Sequence, residues 1–77
     1  MTYIAALTTI NEQRDTGTWD TLTVFDAAGN EVESISVRPA DNDGPYIEAL
    51  INAGWAVTGT TGRRLDVTGN HAFTVDR

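Results

Sequence analysis

The chain has no cysteine, no lysine, a single histidine and a single methionine. Each absence removes a class of explanation. Without cysteine there can be no disulfide, and a structural zinc site loses its usual thiolate ligands. One histidine (His71) and no thiol leave too few soft ligands for a catalytic transition-metal centre, so no metal and no cofactor is expected. No apolar run approaches the roughly 20 residues that a membrane-spanning helix needs. The opening stretch MTYIAALTTI lacks a basic leader and a long apolar segment, so it does not read as a signal peptide. The expectation is a cytoplasmic protein without a membrane partner.

The missing lysine leaves five basic residues, all arginine, against 11 acidic ones, for a formal net charge of −6. Direct nucleic-acid binding normally needs a basic patch that displaces counterions from phosphates, and this balance argues against it. The charge permits binding to a basic partner surface, although an acidic balance usually just keeps a small protein soluble. At 77 residues the chain is one small domain, residues 1–77. A domain of this size buries only about 60–65% of its unfolded surface. Chains this small commonly gain stability from disulfides, metals or a partner subunit. With disulfides closed and zinc short of its best ligand, a homodimer is the expected support, with a well-packed monomer as the alternative.

What is present is threonine, valine and short apolar segments, which favour strands. YIAALTTI (Tyr3–Ile10) is apolar on both alternating faces, as expected of a central strand or one buried by a second copy. NEQRDTGT (Asn11–Thr18) reads as a turn or hairpin tip. In WDTLTVF (Trp19–Phe25), Trp19, Thr21, Thr23 and Phe25 point one way, and Asp20, Leu22 and Val24 the other. DAAGN (Asp26–Asn30) supplies a turn and EVESISV (Glu31–Val37) returns. Val32 falls on the opposite face from Ile35 and Val37, so either that end is solvated or a bulge shifts the register.

RPADNDGP (Arg38–Pro45) is a loop in which Asp43 or Gly44 suits a helix cap and Pro45 a first helical turn. YIEALINA (Tyr46–Ala53) is the one helix, with Ile47, Leu50 and Ile51 on its apolar face. Gly54 supplies the left-handed residue beyond its end. A helix this short does not hold alone in water, so it must lie on a sheet. WAVTGT (Trp55–Thr60) and HAFTVDR (His71–Arg77) read as strands, with the glycine-containing TGRRLDVTGN (Thr61–Asn70) between them. The fold class is therefore α+β: an antiparallel sheet of four to five strands with one short helix packed on one face, in the order β-β-β-α-β-β.

The candidate chemistry is sparse. DNDG (Asp41–Gly44) does not make a calcium loop: with Gly44 at the sixth position, Pro39 takes the first and Leu50 the twelfth, and neither offers a carboxylate. GTTGRR (Gly59–Arg64) lacks the lysine and hydroxyl of a phosphate-binding loop and reads as a β-turn with solvated arginines. Arg63 and Arg64 remain the candidates for anion binding. Nothing in the spacing brings Ser34, Ser36 or a threonine to His71 with an acid behind it, so no catalytic residues are assigned. Glu31 and Glu33 lie about 7 Å apart along one strand face, which reads as a solvated surface. Trp19, Tyr46 and Trp55 are large for so small a core and are the candidate partner-binding residues, because aromatic side chains are enriched at interface hot spots. The competing reading makes them the core itself, with Trp55 closing over the helix end.

The segment LINAGWAVTG (Leu50–Gly59) resembles the signature of a family of small bacterial domains of unknown function. In those domains a short helix ends in a glycine–tryptophan pair and is followed by a β-hairpin. The resemblance extends from Trp19 to Arg77, with WDTLTV similar to the aromatic-led first strand and FTVDR to the last. Where the family has an acidic residue before the glycine, this chain has Ala53, and MTYIAALTTI has no obvious equivalent. The resemblance implies a fold and no activity.

Taken together, the residues point to a non-enzymatic, acidic protein-interaction module that self-associates. One alternative is an acidic decoy or inhibitor of the kind carried by phages and mobile elements, occupying a basic host-protein surface. That idea requires Asp20, Glu31, Glu33, Asp41, Asp43 and Glu48 to gather on one face. A second alternative is a small anionic-ligand or nucleotide binder using Arg63, Arg64 and a tryptophan.

Overall fold

The structure is a computed structural model and describes residues 2–64 and 71–77; the side chains of residues 60–71 lie outside that description. Six elements follow in sequence: β1 (Tyr3–Arg14), β2 (Gly17–Phe25), β3 (Glu31–Val37), α1 (Gly44–Asn52), β4 (Ala56–Arg64) and β5 (His71–Asp76). The strands form one antiparallel sheet in the spatial order β3-β2-β1-β5-β4. With one helix beside it, the domain is α+β.

The two-faced apolar character of β1 has its reason in that order. β1 is the central strand, paired with β2 on one side and β5 on the other, and Ala5, Ala6 and Leu7 are buried. Burial that the sequence left open to a second copy is supplied within one chain.

The segment Asn11–Thr18, read as a turn or hairpin tip, does hold the tip of the β1–β2 hairpin, and the strands extend further into it than expected. β1 runs on to Arg14, β2 starts at Gly17, and only Asp15 and Thr16 turn. Side chains in this hairpin arm are exposed or half-buried, so no apolar alternation marks it as strand. Gly17 has φ +118°, and a Cβ there would run into the Arg38 guanidinium. Two register shifts interrupt β1, between Leu7 and Thr9 and between Thr9 and Glu12. Bulges of this kind bend a strand and re-aim its side chains.

The β2–β3 hairpin turns at Asp26–Asn30. Asp26 Oδ1 accepts the amides of Ala28 and Asn30, both at 2.9 Å, and Gly29 takes φ +86°. Phe25 pairs with Glu31 but Val24 pairs with Glu33, which leaves Val32 as the extra residue of a bulge and 38% exposed. Both alternatives raised by its position on the strand are therefore realised.

α1 begins one turn of loop after Pro39, with Pro45 in its first turn and Asp43 at the N-cap, although the Asp43 side chain makes no capping hydrogen bond. Its end follows a Schellman motif. Gly54, at φ +96°, donates to the Ile51 carbonyl, and Trp55 donates to the Leu50 carbonyl, both at 3.0 Å. The buried helical residues are Tyr46 and Leu50, one turn apart, while Ile51 is 57% exposed. The helix is thus rotated from the Ile47–Leu50–Ile51 stripe that hydropathy suggested, because the tyrosine ring takes the inward position.

β4 starts at Ala56 and continues through Gly59–Arg64, where a turn was expected. Its backbone pairs with β5 across two register shifts, between Val57 and Gly59 and between Thr60 and Arg64. The main buried cluster joins Ala5, Leu7, Leu22, Val24, Val37, Tyr46, Leu50, Trp55, Phe73 and Val75. Directly paired residues share a sheet face, so Leu7–Leu22 and Ala5–Phe73 place these strand residues on one side. The other side carries the pairs Thr21–Ser36, Thr23–Ser34 and Ala6–Ala72. No helix among the described residues is long and apolar enough to cross a membrane.

Candidate functional site

Asp20 is the one charged residue on the apolar side of β2, between Trp19 and Thr21 and in step with Leu22 and Val24. It is 2% exposed. An isolated carboxylate in that position would carry a large desolvation cost, so it must be held by donors. The Tyr46 hydroxyl, from α1, donates to Asp20 Oδ2 at 2.7 Å, and the Asn11 amide, from β1, donates to Oδ1 at 2.8 Å. Asn11 can aim its amide this way because it sits at φ +55°, in the left-handed region, beside the second β1 bulge. The Tyr46 hydroxyl also accepts the Ala40 amide at 3.0 Å, which ties the loop before α1 to the same point. Burial raises the Tyr46 pKa above its ordinary value, and the hydrogen bond to Asp20 raises it further.

These groups border a pocket of about 390 Å³. Its apolar lining comes from Leu7, Ile10, Pro39, Ala40 and Phe73, and its polar lining from Asn11, Asp20, Asp41, Asn42, Asp43 and Tyr46. Three of the six carboxylates required to gather for the decoy reading therefore do so. The other three lie elsewhere: Glu33 accepts the Trp55 indole N–H at 3.1 Å, Glu31 accepts the Ser34 hydroxyl at 3.2 Å, and Glu48 is exposed on α1. Chemically the polar lining is three carboxylates, the Asn11 and Asn42 side-chain amides and the Tyr46 hydroxyl, beside apolar residues. It can receive hydrogen-bond donors and positive charge. Among the described residues, no group of three or more metal-ligating side chains is placed to hold a metal ion.

The aromatic candidates do not form one surface. Tyr46 is 6% exposed and serves the pocket through its hydroxyl. Trp55 is 2% exposed, with the Tyr3 ring edge-on at 5.0 Å and the Arg77 guanidinium 4.3 Å from its centroid. Trp19 is half-buried at the other end of the sheet, where the Arg38 guanidinium stacks 3.9 Å from its ring. Arg38 also donates to the carbonyls of Thr16 and Thr18, at 2.8 and 3.2 Å, and so clamps the β1–β2 turn. Tyr46 and Trp55 are thus members of the buried cluster, and only Trp19 keeps substantial surface. The side chains of Arg63, Arg64 and His71 lie outside the described residues.

Sequence reasoning named Asp20 only as one of six carboxylates of the decoy reading, with no buried role, and did not name Asn11 as a site residue. The signal for Asp20 was available, since a lone aspartate alternating in step with Leu22 and Val24 must be partnered or be at a site. Asn11 offered none, because its role is played by its backbone.

The chain matches no protein-family model, no curated protein and no solved structure in the comparisons made.

Proposed function

We propose that the protein is a non-enzymatic binding module whose recognition site is the Asp20–Tyr46 pocket and whose partner is a basic protein surface. The observation that carries this reading is the pocket itself, where Asp20, Asp41 and Asp43 converge over the apolar residues Leu7, Ile10 and Phe73. A concave site with an apolar lining and a few convergent polar groups is the usual form of a binding site. The net charge of −6 adds long-range attraction for a basic partner. The acidic decoy is one version of this module, in which the basic surface belongs to a host protein. In this reading α1 lies across the apolar face of the sheet and holds one wall of the pocket in place. The kinship of Leu50–Gly59 to glycine–tryptophan domains belongs to the same proposal and adds a fold, not an activity.

The test is calorimetric titration with a defined peptide rich in arginine and lysine, at low and at raised salt. Binding should weaken as salt screens the charges, and Asp41→Asn with Asp43→Asn should weaken it further. Absence of any binding at low salt would remove the reading.

Self-association is a second reading. It is favoured by the outer strands β3 and β4, each of which lies at an end of the sheet order and has one partner strand among the described residues. Unpaired edges are ready templates for another strand. Sedimentation showing a monomer at high micromolar concentration would sink it. The anionic-ligand alternative rests on Arg63 and Arg64, and a thermal-shift screen of nucleotides tests it, since tight binding must raise the melting temperature.

A further inference from the structure

We infer that the edge strand β3 pairs with β3 of a second copy of this chain, antiparallel across a two-fold axis, with Ile35 on the axis. This deepens the self-association reading and rests on it. The edge itself supplies the first argument. β3 closes one end of the sheet and has β2 as its one partner strand among the described residues. From Glu33 to Val37 it pairs with β2 residue for residue, without a break in register. Its outer side therefore offers a regular row of backbone groups, the template another strand needs. β4, at the opposite end of the sheet, breaks register with β5 twice and is the less regular template.

The order of the side chains supplies the second argument. Residues that meet across an antiparallel ladder share a sheet face. Ser34 and Ser36 pair with Thr23 and Thr21, and Glu31 pairs with Phe25, all on the face away from the helix. Arg38 belongs to that face as well, since it stacks on Trp19, which is in step with Thr21. Counting outward from Ile35 on the axis, Ser34 meets Ser36 of the second copy and Glu33 meets Val37. The next position holds Glu31, because Val32 is the extra residue of the bulge, and it meets Arg38. Two-fold symmetry forms each of these pairs twice. Both ends of the interface thus join a carboxylate to a guanidinium, and Glu31 and Arg38 are exposed. Arg38 gives one N–H to each of the Thr16 and Thr18 carbonyls, which leaves others of its five donors for Glu31. A bulge and a charge ordinarily blunt an edge against pairing. Here the bulge brings Glu31 into step with Arg38.

The other registers supply the third argument. An axis at Ser34 sets Ile35 against Glu33 and leaves Arg38 beyond the end of the partner strand. An axis at Ser36 sets Glu33 against Pro39, whose nitrogen has no hydrogen to give. Exposed ion pairs contribute little affinity, so the Glu31–Arg38 pairs select the register while the shared ladder holds the copies together.

The experiment uses the full chain, which has no cysteine, so introduced thiols report the register directly. Sedimentation should show a reversible dimer at high micromolar concentration. Ser34→Cys and Ser36→Cys change exposed positions. Gentle oxidation of an equimolar mixture should yield chiefly the mixed disulfide between the two variants. Residues directly opposite lie within disulfide reach, whereas each position and its own symmetry mate are diagonal neighbours about 7–8 Å apart. Glu31→Arg should weaken the dimer about tenfold, as two attractions become two repulsions. That direction is opposite to the effect of the smaller net charge alone. Either cysteine variant linking mainly to itself, or a Glu31→Arg dimer of undiminished affinity, overturns the inference. A dimer with no cross-link at either position moves the interface off β3 and overturns it too, while self-association stands. A monomer throughout sinks both.

Discussion

The Tyr46 hydroxyl lies 2.7 Å from Asp20 Oδ2, joining the only helix among the described residues to the second strand of the sheet. Both residues are buried, at 6% and 2% exposure. The bond makes Tyr46 a support for the pocket and for the fold together. Tyr46→Phe removes one donor from a buried carboxylate and should cost about 1–3 kcal/mol of stability. Chemical denaturation measures it, and a loss under about 0.5 kcal/mol, the ordinary size of a neutral surface change, would show that Asp20 has other means of support.

The same bond predicts a direction of pH dependence. The Tyr46 pKa is raised in the folded state, by burial first and by Asp20 second. A raised folded pKa contributes stability that is fully present below the ordinary tyrosine value and is lost as pH rises through the raised one. Phenolate absorbance should show one tyrosine ionising late, and Tyr46→Phe should abolish that component. A titration in which Tyr46 ionises at or below its ordinary value contradicts the geometry.

Asp26 behaves in the opposite sense. It is half-buried at the β2–β3 turn, and the Asn30 amide, and then that of Ala28, hold its pKa below the ordinary aspartate value. A lowered folded pKa contributes stability above the ordinary value that is lost as pH falls through the lowered one. Acid titration by carboxyl NMR should find Asp26 ionised below the ordinary aspartate midpoint. Asp26→Ala should slacken the β2–β3 turn, seen as faster amide exchange at Ala28 and Asn30.

Trp55→Ala opens the cluster beneath the helix end, removing contacts with Tyr3, Glu33 and Arg77. It should cost about 3–5 kcal/mol, in line with other large-to-small changes of buried aromatics. Thermal unfolding checks this. A variant with unchanged melting temperature and lost partner binding would restore Trp55 as a contact residue.

Gly54→Ala tests backbone rather than packing. A Cβ there meets nothing within 4 Å, but φ is +96°. The left-handed conformation should cost about 1–2 kcal/mol for a residue with a side chain. If the variant is as stable as the parent, the Schellman closure at Trp55 is not what ends the helix.

Much of this fold was legible in the residues, and the exceptions share a cause. The β2–β3 hairpin and the glycine stop at Gly54 follow from local chemistry, a capped turn in one case and a left-handed residue in the other. The β1–β2 arm was hidden because Glu12–Arg14 pair with Gly17–Trp19 while their side chains remain exposed or half-buried. Pairing there is made by the backbone, to which hydropathy is blind. The helix rotation was hidden because Tyr46 is amphipathic: its ring belongs inside and its hydroxyl needs a partner, and that partner, Asp20, lies on a different strand. The pocket was hidden for the same reason, since it joins residues from β1, β2, β5, α1 and the Pro39–Asp43 loop.

The central place of β1 has a consequence for the order of folding. β1, β2 and β3 form a meander of neighbours that can close early, while β5 reaches β1 only by bringing Val75 back to Tyr3. Contacts between residues so distant along the chain are slow to form, because loop closure must precede any gain from pairing. During synthesis the meander would emerge with one side of β1 unpaired until β5 leaves the ribosome. Phe73, which fills the core beside Ala5 and lines the pocket, arrives with β5, so the pocket is complete only once β5 has paired with β1.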